Sequence, residues 1–502
     1  MRNTILKGGG LVLGSAFWLA GCGSGQNDAV SAAGSTLAAK SNAVVEETRV
    51  QDTREFVAPD PTAAADYEAA ADGSPGFRPL AGSSVETDRW AGVLNGAAYR
   101  IEVPKNWNGK LVMYAHGYVG PIPQLRITMP SIRRHLIENG YAWAASSYSK
   151  NYYDVRSGVE DTNALAAAFK KIAAERGRVV RSPHRTYIMG HSMGGHITGA
   201  AIEEETYKTA VNKQKYDGAV PMCGVMGDTE LFNYFAAYQL TAQTLAGYAN
   251  YPTERFADIA PAVRSALFTT FSTVPNAQGM ALAAVVMNLT GGARPVFAQG
   301  FGNTALQNVV WGTFGSDGTV NGILNKNTLD TTGFTYQLDS DPNLSPQETA
   351  LNAAIPDLTA AHDANRLRSD GLRWIPKVNG QFKIPVVSIH TLGDMYVPFS
   401  MQQIYRKRAE EQGNGAFLVQ RAIRAPSHCD FTVQEQVEAF DAMVAWEQTG
   451  VKPAGDDVMT PSTVANPTYG CAYTRNTGTV DDNPVTIATR NLITPQLAAC
   501  PS

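Results

Sequence analysis

The 502-residue sequence lacks features that would direct it to several classes of function. Its 41 Lys and Arg and its 45 Asp and Glu are mixed along the whole chain, and without a basic patch a nucleic acid or another polyanion is excluded as the partner. No C-x-x-C or H-x-x-x-H pair accompanies the five cysteines, which argues against a zinc site. Beyond the first 22 residues no stretch predicts a membrane helix, because the apolar run 280–289 is too short. The sequence implies neither a metal nor another cofactor.

The first 22 residues predict export. Arg2 and Lys7 precede an apolar segment, 11–20, that is short for a membrane span and leads into Leu19-Ala20-Gly21-Cys22. This pattern resembles a bacterial lipoprotein signal. The resemblance implies cleavage before Cys22, lipidation of its sulfur and, because Gly23 follows instead of Asp, a place at the outer membrane or cell surface. The alternative is an ordinary cleaved signal with an accidental cysteine, which also implies export.

One short motif organises the rest of the sequence. The β-favouring run 186–189 ends in Gly190-His191-Ser192-Met193-Gly194-Gly195, and residues 196–205 have the composition of a helix. The pattern G-x-S-x-G predicts a nucleophile elbow, in which flanking glycines leave room for a strained serine between a strand and a helix. Ser192 would point out of the sheet, above the free N–H groups at the start of the helix. A glycine-rich turn with an incidental serine is the alternative.

Predicted strands and helices alternate around this motif, which indicates an α/β fold with a mostly parallel, doubly wound sheet. Between residues 225 and 375 the alternation stops, and the segment is too long for a loop, so we expect an inserted lid subdomain. The predicted organisation is a signal peptide at 1–21, a flexible tether and lead-in at 22–85, the first part of the core at 86–224, the lid at 225–375, the second part of the core at 376–450, and an irregular tail at 451–502.

A serine hydroxyl is a poor nucleophile at neutral pH and needs a base, which in turn needs an orienting acid. Asp394 and His428 each follow a predicted strand. The order Ser192, Asp394, His428 resembles the α/β-hydrolase superfamily, in particular its exported esterases and lipases, over residues 90–225 and 380–450. The resemblance implies that His428 is the base, that Asp394 holds it, and that esters are cleaved through an acyl-enzyme.

Two residues remain as alternatives within this constellation. His390, at a strand end, is the rival base, and Asp228, after the strand that follows the elbow, is the rival acid. The superfamily resemblance also implies an oxyanion hole made by the N–H of Met193 and by one from the loop His116-Gly117-Tyr118, where Tyr118 is the second donor. A merely structural glycine turn is the alternative for that loop.

Cys429 directly follows His428, which resembles one half of the arrangement in tannases and feruloyl esterases. In that family a disulfide joins the residues adjacent to the catalytic serine and histidine. This chain departs from the arrangement, because His191 and not a cysteine precedes Ser192. Cys223 is the favoured partner of Cys429, since both follow strands at the same sheet edge.

An oxidising compartment favours pairing of all four cysteines of the predicted body. Besides Cys223 with Cys429, we expect Cys471 with Cys500, which would close a loop in the tail. Four cysteines allow three connectivities, and the other two remain open.

Aromatic residues are concentrated at the start of the predicted lid, in 231–251. We expect Phe232, Tyr234, Phe235 and Tyr238 to line the acyl or alcohol pocket, because the lid should emerge at the carboxyl ends of the strands, where open α/β sheets bind substrates. The other interpretation makes these rings the core of the lid itself.

The sequence as a whole predicts an exported serine hydrolase that cleaves carboxylic esters, small or polymeric, and meets the membrane only through a lipid anchor at Cys22. A peptidase or amidase with the same triad is the first alternative, because the lid selects the leaving group. No propeller-like repeat precedes the elbow, which counts against an oligopeptidase of the prolyl type. A non-catalytic surface binding lipoprotein with a hydrolase fold is the second alternative.

Overall fold

The computed structural model describes Phe56 and residues 77–120, 122–316, 324 and 326–501. The predicted signal peptide, the lipidation residue Cys22 and most of the predicted tether lie outside these residues. Within the described part, no helix is both long enough and apolar enough to cross a membrane.

An eight-stranded sheet forms the centre of the described chain. The strands are, in chain order, β1 (Thr87–Leu94), β2 (Ala97–Pro104), β3 (Lys110–Ala115), β4 (Ala142–Ser146), β5 (Arg185–His191), β6 (Gly218–Met222), β7 (Phe268–Thr270), β8 (Val274–Pro275), β9 (Val386–Thr391) and β10 (Leu418–Ile423). Across the sheet the order is β1-β2-β4-β3-β5-β6-β9-β10, while β7 and β8 form a separate hairpin. Strand β2 is antiparallel to both of its neighbours, and all pairs from β4 to β10 are parallel.

Helices pack on the sheet and fill the long segment between β6 and β9. They are α1 (Arg133–Glu138), α2 (Val155–Glu175), α3 (Met193–Ala201), α4 (Glu204–Thr209), α5 (Glu230–Leu245), α6 (Phe256–Leu267), α7 (Ala277–Leu289), α8 (Phe297–Phe301), α9 (Thr304–Trp311), α10 (Pro346–Ala354), α11 (Ser400–Glu411), α12 (Val433–Thr449), α13 (Pro461–Val464) and α14 (Pro484–Ile493). Helices α5 to α10 lie within the predicted lid.

The sheet carries an apolar core on each face, because successive strand residues point to opposite sides. Leu111 and Met113 of β3 belong to the same buried cluster as Phe169 of α2 and Ile197 of α3. Val112 points to the other face and belongs to the cluster that α1 and α12 cover. Strands that are buried on both faces have nearly continuous apolar sequences. The predicted α/β architecture is confirmed.

Helix α12 shows how local sequence signals fix an element's ends. Thr432 and Glu435 form a capping box: the Thr432 hydroxyl accepts from the Glu435 N–H at 3.3 Å, and the Glu435 carboxylate accepts from the Thr432 N–H at 2.8 Å. Gly450 ends the helix with φ 72°, a left-handed conformation that glycine adopts without strain. The sequence Thr432-Val-Gln-Glu435 therefore fixes the start of the helix that follows the His428 loop.

The prediction of an irregular tail over 451–502 is wrong in part. Helix α14 spans 10 residues, with Asn483 capping it and Pro484 in its first turn. Arg490 of this helix is fully buried and pairs with the equally buried Glu435 of α12 at 3.0 Å. The tail is thus a packed part of the fold, because this ion pair attaches it to α12. No local sequence pattern predicts such a pair.

The chain connections create a crevice at the carboxyl ends of the strands. Strand β3 leads to β4 on one side and β5 leads to β6 on the other, so the neighbours β3 and β5 form a topological switch point, where open α/β sheets bind ligands. Gly117 follows β3 and Ser192 follows β5, while Asp394 follows β9 and His428 follows β10. The fold therefore delivers these four residues to the same edge of the sheet.

Candidate active site

Ser192 occupies a sharp turn between β5 and α3. Its backbone has φ 58° and ψ −121°, a strained conformation for a residue other than glycine. The Ser192 N–H donates to the carbonyl of Met222 in β6 at 3.0 Å, which ties the turn to the next strand. A Cβ added at Gly194 would overlap the carbonyl of Ala115 in β3, so only glycine allows this close approach. This is the geometry of a nucleophile elbow.

His428 bridges Ser192 and Asp394. Its Nε2 lies 2.8 Å from Ser192 Oγ, and its Nδ1 lies 2.6 Å from Asp394 Oδ2. Asp394 is fully buried, whereas 18% of the His428 side-chain surface is exposed. Since Asp394 accepts from Nδ1–H, Nε2 of the neutral ring is left to accept the serine proton.

The Asp394 carboxylate is fixed by its own loop. Oδ1 accepts the backbone N–H groups of Tyr396 and Val397, each at 2.9 Å. These two bonds leave Oδ2 to face His428, so the acid orients the imidazole without having to reorganise.

The loops after β9 and β10 continue side by side beyond the strands. The Gly393 N–H donates to the Ala425 carbonyl at 2.8 Å, and the Thr391 hydroxyl donates to the Ser427 carbonyl at the same distance. A Cβ added at Gly393 would lie 2.6 Å from Pro426 Cα. This close pairing brings the loop of the acid and the loop of the histidine together, although they are distant in sequence.

The rival base, His390, is engaged elsewhere. It is fully buried, its Nε2 lies 2.7 Å from the Val397 carbonyl, and its Nδ1 lies 3.2 Å from Gln402 Nε2. Burial lowers the pKa of His390 to about 4, so the ring is neutral at physiological pH. One ring nitrogen contacts the Asp394 loop and the other contacts α11, and His428 is the histidine at Ser192.

The rival acid, Asp228, also has other partners. Its Oδ2 accepts from Arg408 Nη1 at 2.6 Å and from the Val378 N–H at 3.1 Å, and its Oδ1 accepts from the Thr229 N–H at 2.7 Å. These bonds hold the segment in which the chain returns from the insertion to β9. Asp394, rather than Asp228, is the carboxylate at His428.

The loop after β3 runs directly beside Ser192. A Cβ built on Gly117 would lie 3.4 Å from Ser192 Cβ, so the backbone that leads from Gly117 to Tyr118 borders the serine. Tyr148 supports this loop, because its hydroxyl donates to the His116 carbonyl at 3.0 Å and its ring stacks on the His116 ring at 4.1 Å. On the other side, Met193 is the first residue of α3. Of the two predicted oxyanion donors, Met193 thus directly follows Ser192, and Tyr118 directly follows Gly117, which borders Ser192.

The order of the strands, the elbow at the end of β5 and the sequence order of the three contacting side chains now identify the architecture. The chain has the α/β-hydrolase fold. No family model matches the sequence. Over 102 residues the chain is 29% identical to o-phthalyl amidase of Xanthobacter agilis, a match that covers 20% of this chain and 21% of that protein. The chain thus matches about a fifth of the length of this curated relative.

Solved structures of several hydrolases are similar to this chain. Feruloyl esterase B of Aspergillus oryzae is 16% identical with a TM-score of 0.41, over 77% of this chain and 85% of that one. Another esterase of Aspergillus oryzae is 13% identical with a TM-score of 0.43, over 80% and 86%. The acylaminoacyl peptidase of Pyrococcus horikoshii is 9% identical with a TM-score of 0.35, over 75% and 44%. At these scores the fold assignment rests on the topology and the elbow of this chain itself.

His191, which precedes the nucleophile, connects β5 to its surroundings. Its Nδ1 lies 3.2 Å from the Tyr114 hydroxyl, and its Nε2 lies 3.0 Å from Gln436 Oε1 of α12. Removal from water lowers the pKa of His191 to about 4, and the nearby charge of His428 acts in the same direction. His191 is therefore a neutral ring that links two strands to a helix. Sequence reasoning did not find Gln436, because no motif marks it.

The structure forms both favoured disulfides, Cys223 with Cys429 and Cys471 with Cys500. Cys429 Sγ lies 3.4 Å from His428 Nε2. Cys223, His428 and Cys429 bring three donor atoms within 4.8 Å of one another, but both sulfurs are joined in a disulfide and a metal requires thiolates. The partner of Cys429 thus lies in the loop after β6, whereas in the tannase-like arrangement it would lie beside the serine.

The four aromatic residues expected to line the pocket all belong to α5 and are all buried. Tyr238 lies inside the insertion, where its ring packs edge-on against Trp311 and Phe314 at 6.2 and 5.3 Å. The Phe232 ring packs against Tyr153 at 5.2 Å. For Tyr238, the structure matches the alternative in which these rings form the core of the insertion.

Phe235 has a different environment, because it connects to His428 through Tyr396. Its ring stacks on the Tyr396 ring at 5.6 Å, and Tyr396 in turn lies edge-on to the His428 ring at 5.3 Å. Tyr396 is partly exposed and lies two residues after Asp394. Sequence reasoning missed Tyr396, although its position beside the acid was a usable signal.

Proposed function

We propose that this protein is a serine hydrolase that cleaves carboxylic esters. The observation that supports it best is the hydrogen-bonded chain from Ser192 Oγ through His428 to the buried Asp394. His428 Nε2 takes the serine proton as Oγ attacks the ester carbonyl, and then returns that proton to the leaving alkoxide. Asp394 keeps the proton on Nδ1 and stabilises the imidazolium that forms. Water, activated by the same histidine, then hydrolyses the acyl-enzyme.

The oxyanion of each tetrahedral intermediate needs N–H donors in place before it forms. In this proposal the Met193 N–H supplies one, because it opens α3 directly after the nucleophile and carries the positive end of the helix dipole. The Tyr118 N–H supplies the other from the loop beside Ser192. The neutral His116 ring, whose pKa is lowered by burial, supports this loop by stacking on Tyr148.

The test combines covalent labelling with a substrate panel. A fluorophosphonate is expected to label the wild-type chain at Ser192, and short p-nitrophenyl esters are expected to be hydrolysed faster than aminoacyl p-nitroanilides. Labelling without ester turnover would leave a serine hydrolase of another specificity. Absence of both would support the non-catalytic binding protein instead.

An amidase is the second candidate, and the partial similarity to o-phthalyl amidase favours it over a peptidase. The triad serves both reactions, since esters and amides share the acyl-enzyme and differ in the leaving group. Hydrolysis of a simple aryl amide with kcat/KM equal to or above that of the matched ester would replace the ester proposal by this one.

We also propose that the protein is exported and held at the outer membrane or cell surface by a lipid on Cys22, with no other membrane contact. Two disulfides are typical of an oxidising compartment, which supports export. Cys22→Ser should abolish incorporation of an alkyne-tagged fatty acid in a bacterial host and release the protein from the membrane fraction. Incorporation that persists in this variant contradicts the anchor.

Phe235→Ala is expected to change substrate ranking, because it removes the ring that stacks on Tyr396 beside His428. One well-placed ring alters specificity by about tenfold, so the kcat/KM ratio of p-nitrophenyl benzoate to p-nitrophenyl acetate should move by that factor. Tyr238→Ala is the matched control: both variants lose roughly 3–5 kcal/mol of stability by cavity formation, but only Phe235→Ala should alter the ratio. Equal ratios in wild type and Phe235→Ala would show that Phe235 does not help to form the substrate pocket.

A further inference from the structure

The insertion holds the loop that carries Asp394. The Tyr234 hydroxyl donates to the Met395 carbonyl at 2.8 Å, and Arg294 Nε donates to the Leu392 carbonyl at 2.7 Å. At Gly300, an added Cβ would overlap the carbonyl of Gly393. Three separate parts of the insertion therefore contact the residues on either side of Asp394.

Arg294 is the charged member of this contact. It is 7% exposed, and its guanidinium also donates to the Gly292 carbonyl at 2.8 Å and to the Thr290 hydroxyl at 3.0 Å. These acceptors, like the Leu392 carbonyl, are neutral oxygens. A buried charge is costly unless a charge of opposite sign compensates it. Burial lowers the pKa of Arg294 to about 10, while Tyr234 and Asp394 oppose that shift, so Arg294 stays cationic at neutral pH.

Other titratable groups also face the Asp394 and His428 pair. His390 Nε2 lies 4.0 Å from Asp394 Oδ2, Tyr234 lies close enough to Asp394 to interact with its charge, and His191 interacts with His428. The pKa values of His390 and His191 are lowered to about 4, and burial raises that of Tyr234 well above its usual value, so all three are neutral between about pH 5 and 9. Within this set, Arg294 is the cation, and its charge interacts with that of Asp394.

We propose that Arg294 is a positioning residue for the Asp394 and His428 pair: from the insertion, it fixes the backbone of the acid loop and compensates the charge of the carboxylate. This inference rests on the proposed hydrolase function. It gives the insertion a second role, as part of the framework of the triad, beside the lid role expected from the sequence.

Removing the charge at Arg294 should favour protonation of His428, because Asp394 then attracts the imidazolium without opposition. A shift of roughly half a unit toward higher pH is therefore expected in the acidic limb of the pH–rate profile of Arg294→Met. The loosened loop should also lower kcat by about 10- to 100-fold, with little change in KM.

Three further variants separate charge from packing. Arg294→Lys keeps the charge and one donor, so its acidic limb should stay near that of wild type while kcat falls. Tyr234→Phe removes only the bond to Met395, so it should lower kcat without moving the limb. Arg264→Met is the matched control, because Arg264 is another arginine of the insertion and stacks on the rings of Phe271 and Trp311.

The rate of fluorophosphonate labelling at Ser192, measured against pH, gives the readout without a known substrate. A wild-type chain that is not labelled contradicts the proposed hydrolase function itself. A labelled wild type whose pH profile is unchanged in folded Arg294→Met overturns only the role of Arg294. If Arg294→Met does not fold, Arg294→Lys is the deciding variant. A wild-type kcat in Arg294→Lys would show that the guanidinium group of Arg294 does not position the Asp394 loop.

Discussion

Ser192→Ala and His428→Ala are each expected to lose roughly 10⁴-fold or more in kcat, and the double variant is expected to lose no more than the worse single variant. The reason is that His428 Nε2, at 2.8 Å from Ser192 Oγ, has no proton to take once the hydroxyl is gone, and the hydroxyl has no base once the ring is gone. What activity remains would come from the oxyanion donors and from substrate binding. Steady-state kinetics on a p-nitrophenyl ester measures all three variants.

Two surface substitutions are suitable controls for this experiment. His135→Gln changes a histidine that pairs with Asp441 at 2.8 Å on the outer face, and Ser265→Ala changes an exposed hydroxyl on α6. Both should keep wild-type kcat. Retention of more than about a tenth of wild-type turnover in folded Ser192→Ala contradicts the proposed mechanism, because losses of a triad member are far larger.

Parts of the candidate site were predictable because they lie in short sequence motifs with a known local structure. The glycines around Ser192 are needed by a turn that the neighbouring β3 backbone approaches closely, and the capping box at Thr432 marks where the helix after His428 starts. Asp394 and His428 were predicted from their resemblance to the superfamily order of serine, acid and histidine, but that order also allowed Asp228 and His390, and only the contacts at 2.6 and 2.8 Å separate the two pairs.

Contacts between distant segments left no such signal. Arg294 lies in a glycine-rich turn of the insertion, and nothing in that turn predicts a bond to the Leu392 carbonyl. Arg490 lies in a tail rich in Pro, Asp and Thr, yet it forms a fully buried pair with Glu435. Tyr238 fits a pocket wall and a helical core equally well from its spacing, and only packing against Trp311 separates the two. A sequence pattern predicts which face of a helix or strand is buried. What that face packs against depends on the whole fold.

Loss of the Cys223–Cys429 disulfide is the second change from which we expect a large effect, on stability and on catalysis together. A link that spans 206 residues restricts the unfolded chain strongly, and the chain-entropy relation gives about 5 kcal/mol for it. The Cys471–Cys500 link spans 29 residues and gives about 4 kcal/mol by the same relation. On stability alone, the two double alanine variants should therefore behave similarly in chemical unfolding.

Catalysis should separate the two disulfides. Cys429 Sγ lies 3.4 Å from His428 Nε2, and its bond to Cys223 ties the histidine loop to the end of β6, next to the Met222 carbonyl that holds Ser192. Without that tie the distance between Nε2 and Oγ is no longer fixed, and a misplacement of about 1 Å costs on the order of 100-fold in kcat. Measured well below both unfolding transitions, Cys223→Ala with Cys429→Ala should show a loss of this size.

The variant pair at Cys471 and Cys500 should keep kcat within about threefold, because that disulfide contacts the side chain of Arg424 and not the histidine. Equal kcat losses in the two pairs would mean that both disulfides act only through stability, and that the elbow and the paired loops after β9 and β10 suffice to place His428.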